Sequence, residues 1–169
     1  MLGLLTVPPS YNDYAEAIIP YLLDNWLVGY RSNFIDHEIV QVDCGGFQYL
    51  FDVINERLIS AWGVSYGKNT DPRPASRMKG HPLSNGPLYH RGHAIPHTLG
   101  GGVDINLVPQ LGSINIGDFR LLEKRAVKTK GSLYFSHWVY SSGSNQTPQY
   151  VEQGFLYPGQ FIEIKNYSN

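Results

Sequence analysis

Residues 90–123 read HRGHAIPHTLGGGVDINLVPQLGSINIGDFRLLE. Residues 88–96 show no helical apolar period and are expected as a short strand that runs into a loop. Gly100, Gly101 and Gly102 then break the chain, since three consecutive glycines are costly inside any regular element. From Asn115 the pattern changes. Phe119, Leu122 and Ala126 recur at spacings of three and four, and Leu121 widens the face, which predicts an amphipathic helix over residues 115–128. Asn115 then falls in its first turn, with Glu123 a little over two turns further on and roughly on the same face. A strand that delivers His93 and a helix that delivers Asn115 and Glu123 suit one metal and one base.

Arg91-Gly92-His93, then Asn106 with Pro109-Gln110, then Asn115 and Glu123 stand in a fixed order and spacing. In these residues the stretch resembles the DNA/RNA non-specific endonucleases of the ββα-metal (His-Me finger) superfamily. The close match spans 34 residues. Members commonly carry Asp ahead of Arg-Gly-His, where this chain has His90, so the local electrostatics differ. The resemblance implies an α+β fold, an antiparallel β-sheet with flanking helices and a ββα-metal nuclease motif over residues 88–128. It also implies metal-dependent hydrolysis of DNA and/or RNA without sequence preference, leaving 5′ phosphates, with one Mg²⁺ or Mn²⁺ per site. In its terms Asn115 is the direct metal ligand. Glu123 holds the ion's water shell or orients the site from behind, and Asn106 supports the metal and histidine geometry. Small versions of this domain resemble the terminal toxin modules of bacterial antagonism systems, whose producers make a tightly binding immunity protein, so an inhibitor partner is expected with that reading.

The chemistry is consistent with those roles. A neutral imidazole with a pKa of about 6.5 can take a proton from water at physiological pH, which makes His93 the general base. A hard divalent cation prefers oxygen ligands and keeps most of its waters when the protein offers one or two groups. Arg91 presents a planar fork suited to phosphate oxygens, which a lysine would not reproduce. Singly, each residue has a plainer reading: a loop histidine satisfied by its surroundings, an asparagine that caps a helix, or a glutamate in a solvated charge run with Lys124 and Arg125. At this joint spacing the nuclease reading is preferred. His90, His93 and His97 could hold zinc only if the segment were helical, and Gly92 and Pro96 argue against that. A non-catalytic nucleic-acid or protein-binding module on the same fold is the alternative, and His90 in place of the usual Asp is its one support.

At 169 residues the chain fits a single domain, 1–169. The net charge of −1 conceals an uneven distribution. Residues 1–60 hold 2 Lys/Arg against 8 Asp/Glu, whereas residues 61–130 hold 10 against 4. The basic surplus coincides with the motif, so Arg73, Arg77, Arg120 and Lys124 are expected to contact a DNA or RNA backbone. One cysteine, Cys44, excludes an intramolecular disulfide. The opening run MLGLLTVPPS lacks a basic n-region and is too short for a signal peptide or a membrane span. No membrane partner is therefore expected, and the protein is placed in the cytoplasm or is delivered to a target cell without a conventional signal.

Around the motif, residues 1–30 form a helical N-terminal segment. Its helix is expected over 11–28, with a kink or two short helices at Pro20 and a stop at Gly29. Alternation predicts strands over 34–42, 47–53, 57–66, 132–140, 150–155 and 160–165, with Gly45-Gly46 and Asn55-Glu56 as turns. Residues 67–87 are expected as a surface loop, and His137 as a packed or edge histidine.

Overall fold

Two strands rich in aromatic and branched residues, β2 (Phe47–Asp52) and β3 (Arg57–Val64), form the centre around which the chain is built. In the computed structural model the described residues are 8–73, 86–141, 143 and 145–169. The first helix, α1 (Asn12–Ala15), is a single turn, and α2 (Ile18–Asn33) follows it. A short strand, β1 (Ile39–Cys44), pairs with β2 across the Gly45-Gly46 turn, where both glycines have positive φ. Later strands are β4 (Tyr89–His93), β5 (Leu107–Leu111), β6 (Leu133–Val139), β7 (Tyr150–Leu156) and β8 (Glu163–Ser168). Between β5 and β6 lie α3 (Gly112–Ile116) and α4 (Phe119–Lys128). Six strands form an antiparallel sheet in the order β1-β2-β3-β6-β7-β8, and β4 and β5 form a separate antiparallel pair.

Both faces of the large sheet are covered, which is why every residue of β3 is buried. Along α2, Ile19, Leu22, Trp26 and Tyr30 recur at three and four and face the sheet. Trp26 packs at 5.9 Å from Trp62 and 5.4 Å from Phe135, and it stacks on His137. On the opposite face Phe119 of α4 packs against Trp138 and Tyr167, with Leu122 and Ala126 buried beside it. The β4–β5 pair lies on this second face. It is tied to the sheet by Ser136, whose Oγ donates to the Ala94 carbonyl at 3.0 Å. Asn169 grips the outer edge of β5: its amide donates to Pro109 O, and its Oδ1 accepts from Leu111 N, both at 2.9 Å. Pro109 is tolerated there because a two-stranded pair has open edges and its missing N–H breaks no ladder bond.

Several boundaries differ from the sequence expectation. Pro20 neither kinks α2 nor divides it, because it sits in the helix's first turn, where its absent N–H has no partner to lose. Nor does Gly29 stop the helix. The apolar face continues to the buried Tyr30, and Ser32 and Asn33 bond back to the Gly29 carbonyl, so α2 runs on to Asn33. Phe34 then turns into the core against Tyr30 and beneath the Arg57 guanidinium, which delays β1 to Ile39. β8 starts three residues later than expected, after a turn at Gly159 with positive φ. The helix expected over residues 115–128 is broken in two. Gly117 adopts φ −99°, ψ −115°, outside both helical and strand regions, and separates α3 from α4. Asn115 therefore ends a short helix rather than beginning a long one.

Candidate active site

An open cleft of about 440 Å³ lies between the β4–β5 pair and α4. His93, Arg91, Asn115 and Glu123 all line it, although they come from β4, α3 and α4. Arg73, Arg120 and Lys124 line the same cleft, each exposed on its rim. Arg77 lies outside the described residues. Asn106 does not face the cleft: it is fully buried behind it.

The last residue of β4 is His93, only 8% exposed, and its Nε2 has no hydrogen-bond partner among the described residues. Burial pushes the imidazole down from its ordinary 6.5 to about 4, with further downward pressure from the charges of Arg73 and His97. The ring is therefore neutral at physiological pH. Opposite it, burial pushes the Glu123 carboxyl up to about 7, against the opposing pull of Arg120 and Arg73. The cleft thus shifts an acid and a base in opposite directions, as expected where desolvation dominates both.

Asn106 fixes the chain that leaves β4. Its Oδ1 accepts from Ile95 N at 2.7 Å, and its Nδ2 donates to Ile95 O and Gly102 O, each at 2.8 Å. The backbone adds Ala94 N to Asn106 O at 2.9 Å. One side chain therefore satisfies both buried backbone groups of Ile95 and ties in the exposed Gly102, in the loop that follows His93. Gly101 is required by the same clamp. A Cβ at Gly101 would stand 1.9 Å from the Ile95 carbonyl oxygen, so only glycine lets the two segments approach. Asp104, with φ +62°, closes the turn that leads into Asn106.

The cleft also contains Lys68 and Thr98, which the sequence reading did not assign to a site. Lys68 lies on its rim with Thr98 and Lys128, and Pro96, His97 and Val127 complete the wall. Asn69 holds that part together: its N–H donates to Thr98 O at 2.8 Å and its Nδ2 to His97 O at 3.1 Å. No local signal marks Lys68, Asn69 or Ser136, because each acts across a contact between segments far apart in sequence.

Among the described residues no three His, Cys, Asp or Glu side chains converge as a metal cluster. His90 and His93, three apart on a strand, point to opposite sides, and the His90 ring packs against Gly112 instead. The histidine trio is thus not arranged as a zinc site. What the cleft offers is the amide oxygen of Asn115 and the carboxylate of Glu123. Two hard oxygen donors fit an ion such as Mg²⁺, which retains several waters, better than zinc.

No protein-family model matches the chain, and no curated protein matches it in sequence. The fold is nonetheless shared. NucA from Streptococcus agalactiae, in a crystal structure with no metal bound, aligns over 87% of this chain and 88% of its own, with a TM-score of 0.55 and 13% identity. At that identity the likeness establishes a mixed α/β fold with a mostly antiparallel sheet.

Proposed function

We propose that the chain is a metal-dependent endonuclease that hydrolyses DNA and RNA phosphodiester bonds with little sequence preference. The observation that carries this reading is the meeting of His93, Asn115 and Glu123 in one cleft rimmed by arginines and lysines. The shared fold of NucA, a nuclease by name, supports the same class. The order of elements, β4, β5 and then the helices carrying Asn115 and Glu123, supports it as well.

In the reaction, the His93 imidazole takes a proton from water as the oxygen attacks phosphorus, and the bond from phosphorus to the 3′ oxygen breaks, leaving a 5′ phosphate and, once the departing oxygen takes a proton from solvent, a 3′ hydroxyl. Arg91, Arg73, Arg120 and Lys124 bind and orient the phosphate backbone and offset its charge. Asn106 holds the loop after His93 and so keeps the imidazole fixed in the cleft wall. Asn115 would hold a divalent ion, with Glu123 behind it, and the ion would supply charge neutralisation at the reacting phosphate. Burial of His93 excludes bulk water from the base. The effector reading and its immunity protein belong to the same proposal and rest on the resemblance. Expression in a cell's cytoplasm should then be toxic in a manner that His93→Ala removes.

The test is plasmid cleavage and Mg²⁺ or Mn²⁺ titration of the purified chain beside Asn115→Ala. Cleavage abolished by EDTA, and weaker metal binding in the variant, is the expected result. Cleavage that persists in EDTA would reject metal dependence, and undiminished metal binding by Asn115→Ala would reject its role.

A further inference from the structure

His97 opens a short 3-10 turn, His97–Leu99, four residues beyond the end of β4. That turn is fixed on every side. Pro96 sets its approach in extended conformation, Gly100 closes it at φ +103°, and Asn69 bonds to the carbonyls of His97 and Thr98. A turn held this firmly delivers the imidazole into the cleft half-buried, and the ring makes no hydrogen bond among the described residues. Loop shaping alone does not explain it, since the backbone of the turn already carries the anchoring bonds. Across from it stand Lys124 and Lys128 of α4, and beside it Lys68, next in sequence to Asn69. His93 lies deeper, almost fully buried, and its protonation already responds to His97. A nucleic-acid strand whose scissile phosphate reaches His93 must continue past this rim, and the next phosphate along it meets an imidazole flanked by cations.

We propose that His97 is a specificity-determining residue that donates a ring N–H to the phosphate adjacent to the scissile one, so that the cleft favours polynucleotides over an isolated phosphodiester. The proposal rests on the nuclease reading above and goes beyond it by separating a neighbouring-phosphate contact from the reacting centre. A hydrogen bond to a charged group accounts for roughly a tenfold change in affinity.

The experiment compares the unmodified chain, His97→Ala and His97→Lys on a short duplex oligonucleotide and on bis(p-nitrophenyl) phosphate, a single phosphodiester with no neighbour, at saturating Mg²⁺. For His97→Ala the oligonucleotide KM should rise about tenfold with kcat within about threefold, while kcat/KM on the small substrate stays unchanged. His97→Lys supplies an N–H donor of similar reach and should recover most of the KM. If the alanine variant melts early, His97→Leu, which keeps the bulk, is read in its place with the same expectation. Equal losses on both substrates, a fall in kcat alone, or no change on the oligonucleotide would each overturn the inference while leaving the nuclease reading standing. An unmodified chain inert on both substrates would overturn both.

Discussion

Asn106 provides a direct test of how the loop holds His93. Replacing it with alanine removes three hydrogen bonds, orphans the buried Ile95 N–H and Ile95 carbonyl, and leaves the carbonyl of the exposed Gly102 to solvent. Each of the two buried Ile95 groups left without a partner costs about 1–3 kcal/mol, and some relaxation is expected, so the loss should be about 2–4 kcal/mol. For a chain of this size that lowers the melting temperature by about 10 °C. Asn106→Asp is the sharper variant. It keeps an acceptor for Ile95 N–H but turns an oxygen toward two carbonyl oxygens, so at neutral pH it should be at least as destabilised as the alanine form. Urea unfolding at constant m-value measures the loss, and cleavage measured well below the melting temperature should fall further than the unfolded fraction explains. A loss under about 1 kcal/mol for alanine, or an aspartate variant as stable as the parent, would refute the clamp.

Other expectations follow from the same cleft. His93 should titrate near 4 by NMR in EDTA. Between 6.5 and that value the unfolded imidazole holds a proton that the folded one does not, so this residue makes the fold less stable as pH falls across the window; titration near 6.5 would contradict its burial. Glu123 behaves with the opposite sign. Between 4.5 and about 7 the folded carboxyl holds a proton that the unfolded one has released, so its stabilisation is lost as pH rises. Glu123→Gln should therefore gain stability relative to the parent between pH 4.5 and 8 in EDTA, and a flat difference would reject the raised pKa. Gly101→Ala, which forces a Cβ onto the Ile95 carbonyl, should cost at least about 2 kcal/mol in urea unfolding; a neutral effect would show that the loop can move aside.

Much of this arrangement is legible in the order of residues along one stretch. The strand at His93, the glycine break and the apolar period through Phe119, Leu122 and Ala126 are local signals, and the structure places a strand, a loop and a helix there. The hairpin of β2 and β3 is equally local, with turn residues between two aromatic-rich runs. Elsewhere tertiary contacts prevail. Gly117 breaks a helix whose apolar period alone predicts continuity, and Tyr30 draws α2 past Gly29 by reaching Asp52, 2.6 Å from its hydroxyl. Ser136, Asn69 and Asn169 act on the site from strands and segments distant in sequence, so no spacing announces them. Arg57 is the clearest case. It is a fully buried cation against the faces of Phe34 and Tyr140 and bonded to the Gly143 carbonyl, and from the sequence alone it reads as an ordinary strand residue. Where Arg73, Arg120 and Lys124 reach the cleft, the uneven charge along the chain had already pointed to a basic face.

The central claim is that His93 is the base of a metal-dependent nuclease. Its most direct test is degradation of plasmid DNA and total RNA by the purified chain with Mg²⁺, with EDTA, and with His93→Ala alongside, paired with nucleic-acid binding by both proteins. Cleavage that requires both the metal and His93, with binding retained in the variant, is the predicted result. Cleavage undiminished in His93→Ala, or none by the correctly folded parent with Mg²⁺ or Mn²⁺ present, would contradict it.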